Sequence, residues 1–230
     1  MVPSMLRAVG SVAASFRESL RIAGNKSLAV GGVLAGDTMS TSDLRIRTVF
    51  DAEDLAALRE KSAAVLLPLT PDTQLIIQSM LTVMQAKMPA AGLAAPQIGF
   101  KQQIILCTFT RKFEDIAVMI NPQYEPQGDE RVLGWEGCFS APRAVASVAR
   151  WQKIRASYWT PAEEQVEQVL EGKSARIFQH ECGHLKGELT FDIAAEFKTF
   201  EREQDYQAFL QILRTADAQS NAPQSPKPQH

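Results

Sequence analysis

Histidine and cysteine are both scarce in this chain, with three of each among 230 residues. The three cysteines, Cys107, Cys138 and Cys182, are an odd number at irregular spacing. That argues against a disulfide framework and for a reducing compartment in which thiolates bind metal. No stretch approaches the roughly 18 to 20 continuous apolar residues needed to span a bilayer, so the chain reads as soluble, with no membrane partner. Blocks of Lys and Arg are also missing and the net charge is only −2, so there is no nucleic-acid signature. A small-molecule or peptide substrate fits this balance better. There is no internal repeat, and a hydrophobic fraction of 45% is enough to fill one core.

The two ends differ from the middle. Residues 1–38 are rich in Ala, Ser, Gly and Val and carry Arg7, Arg17, Arg21 and Lys26 against only Glu18 and Asp37. Such an acid-poor leader reads as an organelle transit peptide or as an extension upstream of a true start at Met39, the second being preferred. Residues 39–216 read as a single catalytic domain. Residues 217–230, polar and proline-rich, read as a disordered tail, which makes His230 a poor ligand.

Against this scarcity, the other two histidines fall in one motif, Gln179-His180-Glu181-Cys182-Gly183-His184. On a helix, residues four apart share a face, so His180 and His184 aim at one ion with Glu181 beside them, a metal-hydrolase layout of the HExxH type. Upstream, Thr70-Pro71-Asp72 reads as a helix start, followed by a buried stripe of Ile76, Met80, Val83, Met84 and Met88. Pro89 ends it before the small-residue run Gly92-Leu93-Ala94-Ala95-Pro96-Gln97, in which only Gln97 has amide donor and acceptor capacity. Ile104–Cys107 and Ala117–Ile120 read as buried strands, the second bounded by an Asn121-Pro122 turn, and Cys107 as a core thiol. Lys153–Tyr158 alternates as a half-exposed strand. Phe197–Arg214 reads as an amphipathic helix lying on the domain. Glu136-Gly137-Cys138-Phe139-Ser140 sets a cysteine in a turn-like, polar context, where Cys138 would complete a Cys-His-His set and leave a position open for water.

Taken together and in order, the patches at Gly92–Gln97, Glu136–Ser140 and Gln179–His184 resemble the three signature motifs of peptide deformylases, over about residues 43–195 and including Arg59, Asn121-Pro122 and Arg176. The resemblance implies an α+β fold, with antiparallel β-sheets around a central metal-binding helix and a C-terminal helix. It implies one divalent ion, Fe²⁺ in the cell with Zn²⁺, Ni²⁺ or Co²⁺ able to substitute, on Cys138, His180 and His184. The implied reaction removes the N-terminal formyl group of formyl-methionyl nascent polypeptides. Glu181 would act as base and then acid, and the Gln97 amide and the Phe139 backbone N–H would serve the oxyanion. Gly92, Leu93 and Ile177 would meet the substrate. A monomer working near the ribosome exit in a bacterial cytoplasm follows, or in a mitochondrion or plastid if residues 1–38 are a transit peptide.

Three positions depart from the family pattern: Ala90 where Gly is usual, Phe139 where Leu is usual, and Gly183 where Asp is usual. Gly183 weakens the helix by about 1 kcal/mol relative to Ala and removes a carboxylate suited to an arginine such as Arg150, so a less rigid site or an altered substrate preference is expected. Two other readings are an HExxH zinc peptidase, its third ligand Glu196, Glu201 or Glu203, and a non-catalytic peptide- or ribosome-binding relative.

Overall fold

The computed structural model describes residues 44–220. The leader 1–38, the proposed start at Met39 and the tail segment 221–230 lie outside the described residues. Among the described residues there are four α-helices, α1 (Ala52–Leu58), α2 (Pro71–Ala86), α3 (Lys173–Leu185) and α4 (Glu203–Ser220). The strands are β1 (Gly92–Ala94), β2 (Ile104–Cys107), β3 (Ala117–Pro126), β4 (Arg131–Gly137), β5 (Ala144–Trp151), β6 (Lys153–Trp159), β7 (Gln165–Glu171) and β8 (Ala194–Thr199). They pair antiparallel in two sheets, one of five strands in the order β1-β2-β3-β6-β7 and one of three in the order β4-β5-β8. Helix α3 packs on β1, β2, β3 and β7 of the first sheet and on β5 of the second. The expected α+β architecture around a central helix is therefore the observed one.

The core explains why β2 is apolar throughout instead of alternating. Ile105 and Cys107 face α3 and join Phe178, Cys182 and Leu185 in one buried cluster. Ile104 and Leu106 face the other way and join Ile77, Met80 and Met84 of α2. A strand covered on both faces needs apolar residues at every position. In α2, Thr70 caps the helix as expected, accepting from the Thr73 N–H. Ile77 is fully buried, whereas Ile76, Val83 and Met88 are only partly so.

Two expectations need correction. Asn121-Pro122 is not a turn that ends a strand; both residues lie within β3, where the register shifts between Ile120 and Gln123. Asn121 takes a φ of 51° there, and its side chain ties down the Val65 backbone, accepting from N–H at 2.8 Å and donating to C=O at 2.9 Å. Phe197 and Phe200 are not helical either: β8 covers Ala194–Thr199 and pairs with β5, and α4 begins only at Glu203. That helix runs to Ser220, four residues past the expected end of the domain at 216.

Candidate active site

Helix α3 leaves Gly172, whose φ is 60°, and is fixed to β5 by Gln179. The Gln179 side chain accepts from the Trp151 N–H at 3.0 Å and donates to the Trp151 C=O at 2.9 Å. This sets the rotation of the next residue, His180, and of His184 one turn on. Cys138 arrives from the other sheet, immediately after β4 ends at Gly137. Ligand atoms of Cys138, His180 and His184 all lie within 4.8 Å of one another, and the three residues are buried. The acids required by the peptidase reading, Glu196, Glu201 and Glu203, are not in this group.

The chemistry of the donors suits a divalent ion. Glu136, two residues before Cys138 on the same strand face, accepts a hydrogen bond from His180 Nδ1 at 2.9 Å, which leaves Nε2 for a metal. Burial opposes the charge on Glu136, but hydrogen bonds from His180 and Arg150 hold its carboxyl down at about 2. Burial likewise opposes a Cys138 thiolate, yet the His184 and His180 imidazoles hold the thiol well below its ordinary range. Among the described residues, the buried His184 Nδ1 and Glu181 Oε2 have no hydrogen-bond partner.

Glu181 stands on the same helix face, and burial pushes its carboxyl up to about 7 against the pull of His180 and His184. Gly92 is necessary to its placement: a Cβ at position 92 would lie 2.2 Å from Glu181 Oε1. The space that a side chain on β1 would fill thus holds the carboxylate itself. Gln97 is oriented by its own backbone, its Oε1 accepting from the Ala94 N–H at 2.8 Å. Its Nε2 then points at Ser140 Oγ, 3.2 Å away, and at Cys138 Sγ, 3.5 Å away. Phe139 follows Cys138, and its side chain packs on the α2 cluster.

A cleft runs over these groups, lined by Gly92, Gln97, Phe139, Ile177 and Glu181. Leu93 is not on its wall: the residue is fully buried among the α2 contacts. On the far side α4 closes the cleft. A Cβ on Gly137 would lie 3.0 Å from Tyr206 Oη and 3.3 Å from Leu210 Cδ2, and Phe209 meets Trp135 edge-on at 5.7 Å.

Two arginines complete the site with no local signal for what they contact. Arg150 binds Glu136 through Nε and Nη2, each at 3.0 Å, and Arg176 adds a third cationic contact at 2.7 Å. The Arg176 guanidinium lies where a side chain on Gly134 would be, 2.8 Å from its Cβ position. Glu136 was detectable, since strand alternation places it on the Cys138 face; the arginines meet it only through tertiary folding. Gly183 sits inside an unbroken α3, and Arg150 does not lack an acid on that side, because Glu188 approaches it at 3.6 Å.

The polypeptide deformylase family profile matches residues 46–200. The chain is 40% identical over 127 residues to peptide deformylase 1 of Bordetella pertussis, covering 52% of this chain and 72% of that protein. It is 31% identical over 190 residues to peptide deformylase 2 of Rickettsia conorii, covering 77% and 92%. Among solved structures, the Thermotoga maritima peptide deformylase superposes with a TM-score of 0.58 at 31% identity, covering 66% of this chain and 98% of that one. A plant peptide deformylase gives 0.60 at 26% identity, covering 84% and 100%. With two sheets wrapped on an HExxH helix, a cysteine delivered from the second sheet and these relatives, the chain belongs to the polypeptide deformylase family, metal-dependent hydrolases that remove the formyl group from the amino terminus of new polypeptides.

Proposed function

We propose that Cys138, His180 and His184 hold ferrous iron, and that Glu181, Gln97 and the Phe139 N–H carry out deformylation of formyl-methionyl polypeptides. The observation that carries this reading is the buried convergence of one thiol and two imidazoles within 4.8 Å, with a carboxyl poised at about 7 beside them. A divalent ion bound there polarises a carbonyl and lowers the pKa of water from about 15.7 towards about 7 in favourable zinc sites. Mixed thiolate and imidazole ligation suits zinc or ferrous iron, and the family resemblance favours iron.

Glu181 takes the proton of the attacking water, a role that its pKa near neutrality suits. As the water oxygen adds to the formyl carbon, charge grows on the formyl oxygen. The Gln97 amide, held by Ala94 before substrate arrives, and the Phe139 N–H stabilise that charge; loss of one such donor costs roughly 3 to 4 kcal/mol of barrier. Glu181 then returns the proton to the amine nitrogen as the C–N bond breaks, giving formate and a free amino terminus. Ile177 lines the cleft for the methionine side chain, while Gly92 offers backbone to the peptide and Leu93 packs beneath it.

Its bacterial relatives favour a cytoplasmic enzyme, and we propose that it works as a monomer on nascent chains at the ribosome exit; no described helix is long and apolar enough to cross a membrane. The test is formate release from formyl-Met peptides by protein purified without oxygen and loaded with Fe²⁺ or Ni²⁺. Turnover with either ion, and loss of the iron form in air, is expected. Absence of formate from fully loaded protein overturns the reading.

A further inference from the structure

Arg150 is the buried link between the metal helix and the sheet that delivers Cys138, its side chain only 7% exposed. Two of its nitrogens, Nε and Nη2, are engaged by Glu136. The remaining one, Nη1, faces Glu188 Oε1 at 3.6 Å. Glu188 follows Gly187, which takes a φ of 74° and turns the chain back over the last turn of α3. Its own N–H donates to the Gly183 C=O at 3.0 Å, so its backbone is fixed above that residue. A Cβ on Gly183 would lie 3.2 Å from Glu188 Oε1 and 3.8 Å from its carbonyl oxygen. The carboxylate therefore reaches Arg150 across the space that a side chain at position 183 would need.

We propose that Glu188 is a positioning residue for the metal site and that Gly183 is the residue that admits it. Its charge holds the Arg150 guanidinium flat against Glu136, and Glu136 in turn fixes the ring of His180 through Nδ1. The distance is that of a charge contact and not of a direct hydrogen bond, so the effect lies in aligning Arg150. The missing acid at position 183 is thus relocated by five residues to the turn beyond the helix. This inference rests on the reading of His180 as a ligand.

The test moves the charge. Affinity for Ni²⁺ is measured by chelator competition, alongside the Tm of chelator-treated protein, in Glu188→Gln, Glu188→Ala, Gly183→Asp and the double variant Gly183→Asp/Glu188→Ala. Glu188→Gln and Glu188→Ala are expected to weaken binding about tenfold, the lower end for loss of an outer partner of a ligand. Gly183→Asp alone is expected to weaken it as well, because two carboxylates then crowd one guanidinium. The double variant is expected to bind several-fold more tightly than Glu188→Ala, its acid restored from the other position. Unchanged affinity in Glu188→Gln, a fall in Tm without a fall in affinity, or no rescue in the double variant overturns the proposal. His180→Ala distinguishes the two levels. Full metal affinity there overturns the ligand assignment and this proposal with it, whereas metal loss there with normal binding in Glu188→Gln overturns this proposal alone.

Discussion

A methyl group at position 92 and a carboxylate oxygen of Glu181 would compete for one place, 2.2 Å apart. Gly92→Ala should therefore displace the base while leaving the ligands untouched. A misplacement of about 1 Å costs on the order of 100-fold in rate; that loss in kcat/KM, with normal metal content, is expected from parallel kinetics and metal analysis. Glu136→Gln should act on the other quantity. It keeps the side-chain shape but removes the charge shared by His180, Arg150 and Arg176. Metal affinity should fall about 10- to 100-fold, and urea unfolding should show a loss of about 3 to 5 kcal/mol, the usual result of breaking a buried ion pair from one side. At this scale the residues legible in the sequence were those with local spacing, His180, Glu181 and His184, or those in a recognisable block, Gln97 and Cys138. Arg150 and Arg176 could be named in the sequence but not as partners of Glu136, and Glu188 was not legible, because each acts through a neighbour distant in the chain or around a turn. Leu93 marks a different limit: its block was recognised, but a block does not tell which face of a short strand is buried.

Secondary structure was read best where one covering surface imposed one period. The capped α2, the doubly covered β2 and the alternating β6 met that condition. β4 did not, with one glycine inside it and another at its end and exposed Val132 and Leu133. Nor did β8, where Phe197 and, just past the strand, Phe200 mimic a helical spacing although Phe197 packs edge-on against Phe191 at 5.9 Å. The later start of α4 places Tyr206 and Leu210, not Phe197, against the strand that carries the ligand. Burial there pushes the Tyr206 phenol up to about 12. Gly137→Ala should force α4 outwards, since its Cβ would lie 3.0 Å from Tyr206 Oη. Overpacking of this kind costs about 1 to 3 kcal/mol. A lower Tm and a raised KM for peptides, with kcat less affected, are expected from thermal unfolding and steady-state kinetics.

At the scale of the whole molecule, two carboxylates hold the first helix region, Asp54 by pairing within it and Asp192 by tying it to the body. Asp54 is fully buried beneath Arg45 and Arg47, and Asp192 meets Arg59 through two bonds at 2.9 and 3.0 Å. Hydrogen bonds from Arg45 and Arg59 hold these two carboxyls below their ordinary 3.8. Folded values below unfolded ones mean that the stabilisation is complete above about pH 4 and is lost as pH falls through the depressed values. The Tm of metal-stripped protein should drop below pH 4, and Asp54→Asn should flatten that drop, the half-exposed Arg59 pair contributing less.

The three proposed ligands come from two layers, Cys138 from the edge of the three-strand sheet and the histidines from the helix seated on the five-strand sheet. An ion that meets all three only in the folded chain stabilises it by mass action, by about 2.7 kcal/mol when free metal stands at 100 times the Kd. Chelation should therefore lower Tm as well as activity. In a cell, such a protein is exposed to proteolysis whenever its metal runs short, because a loss of one or two kcal/mol changes abundance several-fold. Metal supply then sets how many copies persist, in addition to how many are active.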